Sequence, residues 1–469
     1  MSRRISGLRT STARLTPPTR RESSWATTHD HLTPDKVASD RMDRGPTRTR
    51  STSPKTRVPT RHPGESRQDF VLRALRESQR TVSRLDPQAA ATKLDRLEQS
   101  PFVFFRGTAF LFYADLAKSE RHRPAVLCNG DVHPLNFGTM PGRDGKPVFG
   151  LNDFDEAAVA PFSFDVKRGA TGFQLLAAEK GLSPAERGKV VRAFVDGYLD
   201  MLEKADGSDR EHKAQTEKRT KGPVKELLER AADASRTKFL KGEVAHGRFV
   251  EDPELLPCRE RIPEFERAVQ LYVESLPEDR RPADGFLKIK DVVQKQGSGT
   301  GSLGAERYYV LVEGPGKKGK DDRILELKQS LPSVLEPYSG MDAMSLRAGG
   351  ARVASAHHVQ VVHGDPLYGH TTLDRRSFMV RERSPEWQRF DVEDGDSASL
   401  RQYARSCGEA LALSHARCAD HAEDRILDSL EPDRFTDEVV VQARELANKV
   451  VDDHARFVQL RRDGVFDPD

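Results

Sequence analysis

The chain has 469 residues, 32% of them charged, yet 76 Lys and Arg against 73 Asp and Glu leave a formal net charge of only +3. That balance argues against a dedicated nucleic-acid binder, which carries a basic excess. No apolar run approaches the roughly eighteen residues a membrane helix requires, so neither nucleic acid nor membrane is an expected partner. Four cysteines, Cys128, Cys258, Cys407 and Cys418, form no Cys-x-x-Cys pair. This disfavours a zinc site or disulfide framework and suits a reducing cytoplasm.

Residues 1–66 are rich in Arg, Ser, Thr and Pro without apolar periodicity. Such a segment buries too little to offset its ordering entropy and predicts a disordered tail. Helices are expected from Phe70 to Leu97, interrupted at Asp86-Pro87. The aromatic-rich segment from Pro101 to Ala117 carries Arg106, which is either a paired arginine of a core helix or a group near phosphate. Two short apolar runs, Pro124 to Cys128 and Pro147 to Leu151, predict buried strands. The first leads into Asn129-Gly130-Asp131-Val132-His133-Pro134-Leu135-Asn136 and the second into Asn152-Asp153-Phe154-Asp155. An Asp and an Asn five positions apart on one loop can divide two tasks. Asp131 orients and deprotonates an attacking hydroxyl, and the Asn136 amide oxygen joins a Mg²⁺ shell. Asp153 can then hold that metal against nucleotide phosphates, and Asp155 can bind a second metal or the acceptor. Either motif alone is commonly a turn, because Asp and Asn bond their own backbone; the order and spacing together carry the reading.

Apolar positions at three- and four-residue spacing predict helices over 173–180, 185–202 and 223–234, with a charged loop over 206–222. Strands are then expected over 284–293 and 307–313. Between them, Gly297, Gly299, Gly301 and Gly304 give the layout of a hairpin whose backbone N–H groups approach phosphate oxygens; a flexible hairpin tip has the same composition. The next strand, Arg323 to Lys328, alternates so that Lys328 shares a face with Glu326 and Ile324. A helix beginning near Leu331 would offer Glu336 as the partner of Lys328. Residues 352–362 and 377–383 alternate like strands, on which the adjacent His357 and His358 face opposite ways. Residues 363–365 read as a loop and 400–419 as an amphipathic helix.

Residues 129–136 with 152–155 resemble the signature of the aminoglycoside phosphotransferase and choline kinase branch of the protein-kinase-like fold, His-Gly-Asp-x-His-x-x-Asn followed by a strand ending in Asp-Phe-Asp. Asn129 stands where that signature begins with His. Residues 100–107, the Asp131 loop, 152–156 and Asp165-Val166-Lys167-Arg168 resemble the domain-of-unknown-function 2252 family, from about Arg67 to the C-terminus. Where that family has Gly-Gln-Arg near Arg352, this chain has Ala356-His357-His358. The resemblance implies an α+β, protein-kinase-like fold of two lobes that takes ATP and Mg²⁺. Lys328 would contact the α- and β-phosphates, Asp131 and His133 would belong to the catalytic loop, and Asp165 would brace that loop. An unknown small-molecule acceptor that is cationic, by analogy with aminoglycosides and choline, would face Asp155, Glu156 and Asp365.

The parts occur in an unusual order, because the catalytic loop and Asp153 precede the glycine hairpin. The expectation is a circularly permuted kinase-like chain: a tail over 1–66, a helical large lobe over 67–283, a β-rich nucleotide lobe over 284–390, and helices over 391–469 completing the large lobe. A phosphotransferase acting on a hydroxyl acceptor is the leading functional expectation. A nucleotide-binding pseudokinase, an AMP transferase and a metallophosphatase using Gly130-Asp131-Val132-His133 are the alternatives.

Overall fold

The computed structural model describes residues 59–466 apart from 283–286, 298–303, 315, 317–318, 340–347 and 393–394. The expected disordered tail over 1–58 lies outside the described residues, as do Gly299 and Gly301. Residues 59–66, assigned to that tail by composition, are tied to the first helix: Ser66 caps it and Glu65 pairs with its Arg73 at 2.8 Å.

Helices α1 (Arg67–Leu85) and α2 (Pro87–Glu98) divide where the sequence divides them. Asp86 ends the first and caps the second, accepting from the N–H groups of Gln88 and Ala89, with Pro87 opening the helix. Helices α3 (Pro101–Gly107) and α4 (Ala109–Glu120) bring Phe102, Phe105, Phe112 and Tyr113 into the main core. Strands β1 (Ala125–Cys128), β2 (Phe137–Met140), β3 (Val148–Leu151) and β4 (Ala158–Pro161) come next. Antiparallel pairing of β1 with β4 and of β2 with β3 folds this stretch back on itself and sets its two connecting loops side by side. Helix α5 (Phe162–Glu179) is buried over nearly its whole length, and α6 (Pro184–Ala205) and α7 (Gly222–Ala232) pack around it and its neighbours.

A second region begins with α8 (Arg236–Glu243), β5 (Val244–Ala245), β6 (Arg248–Phe249), β7 (Leu255–Pro257) and α9 (Ile262–Ser275). It continues through β8 (Ile289–Lys295), β9 (Arg307–Val312), β10 (Arg323–Gln329), α10 (Gly350–Gln360), β11 (Gly369–Leu373) and β12 (Arg376–Arg383). One antiparallel sheet runs in the order β11-β12-β10-β9-β8-β7. Phe265, Ala268 and Tyr272 of α9 cover one face, against Val292, Tyr308, Val310, Leu325 and Phe378. Leu240 and Phe249 pack on the other, against Val293, Tyr309, Leu311 and Ile324. The sheet region therefore starts near 236, upstream of the boundary expected at 284.

Two expected elements differ. Residues 350–360 form a helix, not a strand: the buried positions Gly350, Val353, Ala354, Ala356, His357 and Gln360 follow helical spacing, and Gly349 enters at φ +61°. The helix expected from Leu331 is absent; Pro332 and Pro337 leave a single 3₁₀ turn over Glu336–Tyr338. The chain closes with α11 (Ser397–Ala416), α12 (Ala422–Leu427) and α13 (Pro432–Arg462). Helices α6 and α11 cross closely: a Cβ on Gly197 would lie 2.3 Å from the Arg405 carbonyl oxygen, and one on Gly408 would lie 2.0 Å from that of Phe194. Among the described residues no helix is long and apolar enough to cross a membrane.

Candidate active site

The loop after β1 is fixed by its backbone. Asp165, in the first turn of α5, accepts from Asn129 N at 2.6 Å and from Gly130 N at 2.9 Å. His415, near the end of α11, sets its Nε2 3.2 Å from the same carboxylate, and its Nδ1 lies 2.9 Å from the Tyr198 hydroxyl. Tyr113 and Tyr403 donate to the carbonyls of Gly130 and Pro134 at 2.8 and 2.7 Å. Gly130 has φ +81°, and a Cβ there would lie 2.2 Å from the Glu156 carbonyl oxygen, so no other residue fits. Asn129, the departure from the expected His, ties the two loops together by donating to the Asp153 carbonyl at 2.6 Å.

Asp131 is held by a buried arginine. Arg168, one helical turn beyond Asp165, reaches Asp131 Oδ1 with Nη2 at 2.6 Å and Nε at 3.1 Å, while its guanidinium lies 4.2 Å over the Phe105 ring. Burial pushes the Asp131 carboxyl above its usual range against the opposing pull of Arg168. His133 Nδ1 accepts the Leu135 N–H at 3.1 Å. Burial, reinforced by Arg106, Arg168 and Arg389, keeps this imidazole neutral. Its Nε2 meets the Arg106 Nε–H at 3.4 Å and lies 3.7 Å from Asp131 Oδ2.

Asn136 uses its amide nitrogen inside the loop, towards Asp131 O at 3.0 Å and Asp153 O at 3.3 Å. Its carbonyl oxygen is thus the end left for a ligand. Lys328 of β10 crosses from the sheet and places Nζ 3.1 Å from Asp153 Oδ2 while also pairing with Asp155 Oδ2. Burial alone would raise the Asp153 pKa, but the Lys328 charge and hydrogen bond outweigh it and hold the carboxyl well below its usual range. Asp155 moves the other way, through burial and the nearby Asp153 charge. Between these two, Phe154 is fully buried, edge-on to His357 of α10 at 5.4 Å and to Tyr368 at 6.0 Å.

Glu336 is not the partner of Lys328: it is exposed on the 3₁₀ turn, and Asp153 and Asp155 take its place. Gly297 and Gly304 sit at the two described ends of the hairpin tip with φ +67° and +88°, and Arg96 of α2 donates to the Gly297 carbonyl at 2.6 Å. Gly299 and Gly301 belong to the undescribed tip. The residues proposed for a cationic acceptor are already engaged. Asp155 pairs with Lys328, Glu156 accepts the Val334 N–H at 2.6 Å, and Asp365 is fully buried and accepts the Leu367 N–H at 2.8 Å.

Several contributors were assigned no role in the site from sequence. Arg168 and His415 complete the loop's support, and Arg352 of α10 donates to the carbonyls of Ala157 and Leu331 at 2.7 and 2.9 Å. The three-residue spacing of Asp165 and Arg168, which puts both on one helix face, was the available signal. On the Lys328 face of the sheet, a cleft of about 510 Å³ is lined by Tyr309, Trp387, Phe239, Arg307, Arg381 and Arg383. Glu326, also in that lining, pairs with Arg307 at 3.0 Å and Arg381 at 2.7 Å; despite burial, the two guanidiniums hold it down to about 2.

No curated protein and no solved structure matches the chain. A family model described as an uncharacterized protein conserved in bacteria, DUF2252, matches residues 84–460, and the chain belongs to that family.

Proposed function

We propose that the protein is a phosphotransferase that moves the γ-phosphoryl group of ATP to a hydroxyl acceptor, on a kinase-like arrangement whose chain order is circularly permuted. The observation that carries this reading is the meeting of Lys328 with Asp153 across 175 residues of chain, next to the loop that bears Asp131 and Asn136. Local turn chemistry does not account for a lysine arriving from another sheet. Support also comes from the order β8-β9-β10-β12-β11, with α10 inserted after the lysine strand and packed on Phe154.

The residues fit a divalent cation. The Asp153 side chain is 45% exposed, Asp155 Oδ1 is buried without a partner, and the Asn136 amide directs its nitrogen inward. Asp153, Asn136 and Asp155 would hold Mg²⁺, which when bound neutralises phosphate charge. Lys328 is freed from its carboxylates to contact phosphate oxygens, and the aromatic cleft beside Trp387 takes the base. Asp131 Oδ2 accepts the acceptor's proton as the acceptor oxygen bonds the γ-phosphorus and the bond from that phosphorus to the β,γ-bridging oxygen breaks, releasing ADP. Positioning and charge supply most of such catalysis. The metallophosphatase alternative loses support because neither nitrogen of His133 is left as a metal ligand.

The test is a thermal shift of the native chain with Mg²⁺ and ATP, beside Asp153→Ala and Lys328→Ala. At a hundred times Kd the ligand adds about 2.7 kcal/mol. A shift in the native chain that is lost in both variants is expected; no shift at millimolar ATP rejects the reading.

A further inference from the structure

Three arginines gather on the Asp131 side of the loop, and two of them make no ion pair among the described residues. Arg168 is fully buried against Asp131, and its Nη1 has no hydrogen-bond partner. Arg106, half-buried at the end of α3, makes no ion pair among the described residues; its Nε donates to His133 Nε2 at 3.4 Å, and its terminal nitrogens make no hydrogen bond among the described residues. Arg389 is exposed and likewise unpaired among the described residues. Its segment is fixed to β2: Thr139 N donates to Gln388 O at 2.9 Å, Thr139 Oγ1 donates to Glu386 O at 2.7 Å, and a Cβ on Gly138 would lie 2.3 Å from Gln388 O. Arg389 therefore stands on a rigid strut beside the Asp131 loop: Phe390, next in the chain, stacks on Tyr403 at 4.4 Å, and Tyr403 donates to the Pro134 carbonyl at 2.7 Å.

Three guanidiniums here outnumber the nearby carboxylates, Asp131, which Arg168 already neutralises, and Asp153, which pairs with Lys328. A cationic acceptor would meet net repulsion, and the carboxylates that might have received it are engaged elsewhere. We propose that the acceptor is a small hydroxylated compound carrying an oxyanion, a phosphate or a carboxylate, held by Arg106 and Arg389 while its hydroxyl meets Asp131 Oδ2. This rests on the phosphotransferase reading and names its substrate class. Planar guanidinium donors suit an oxyanion bidentately.

The full-length chain is given Mg²⁺ and ATP with sugar and polyol monophosphates, with hydroxycarboxylates, and with the neutral and amino counterparts of both, and ADP release is followed. An anionic member should stimulate release about tenfold or more over its neutral parent, and Arg389→Gln should raise its KM about tenfold with kcat changed less. Whichever set responds assigns phosphate or carboxylate. Equal stimulation by neutral or amino members, none by anionic ones, or an unchanged KM in Arg389→Gln overturns the proposal. The nucleotide thermal shift separates the two failures. If it is present, a negative acceptor screen rejects the oxyanion assignment alone. If it is absent, the phosphotransferase reading fails, and the anionic compounds are tested by thermal shift without nucleotide. A shift lost in the Arg106→Gln, Arg389→Gln double variant then supports an oxyanion site, whereas an equal or absent shift rejects it.

Discussion

Asp131 offers one carboxylate oxygen to a ligand because Arg168 occupies the other. Asp131→Asn keeps the shape and removes the proton acceptor, so ADP release with acceptor should fall about 10²- to 10⁴-fold; a loss under tenfold would move the base elsewhere. Asp365 yields a prediction independent of catalysis. Burial and the Glu382 charge raise its pKa from 3.8 to about 7, and its Oδ2 has no partner. The fold tolerates the neutral acid, so the cost of ionising it appears as pH rises from about 4 to about 7. Asp365→Asn should gain Tm over the native chain progressively between pH 4.5 and 7.5, and parallel melting curves across that range would contradict this. Asp131, Asn136, Asp153 and Asp155 were legible in the sequence because local spacing places them on two adjoining loops. Arg389 and His415 were not, since only the folded chain brings His415 onto Asp165 and the Arg389 segment onto β2.

Most strands were legible because alternation, turn residues and β-branched side chains agreed over 307–313, 323–328 and 377–383. Helix α10 was not: its apolar residues alternate over a short window, and only the fold, pressing His357 onto Phe154 and Tyr368, selects the helical period. The α6–α11 crossing is a contact between backbones. Gly408→Ala puts a methyl where the Phe194 carbonyl and the Tyr198 N–H lie. The helices must part, and overpacking of this kind costs about 1–3 kcal/mol. Because α11 carries His415, chemical denaturation of Gly408→Ala should show that loss, while Gly188→Ala, facing open space on α6, should show none.

The molecule extends past the segment its family model matches. That match begins at residue 84, yet Phe70, Val71, Ala74 and Leu75 of α1 form one cluster with Phe457, Leu460 and Phe466 at the far end of the chain. The Phe, Val and Leu side chains among them contribute about 1.5–3 kcal/mol each when fully buried. A chain beginning at Pro87 should therefore melt below one beginning at Thr60, and equal Tm values would show α1 to be dispensable. The brace on the Asp131 loop has a temporal side. Asp165 and His415 are 250 residues apart. At about 5–20 residues per second, the ribosome needs roughly 12–50 s to travel from one to the other. Through that interval the nascent chain carries its acidic loop without the histidine behind it. A message cut short between Asp165 and His415 therefore yields a polypeptide with the Asp131 loop and Asp165 but without the histidine behind them, so synthesis through α11 is itself a condition for assembling the brace.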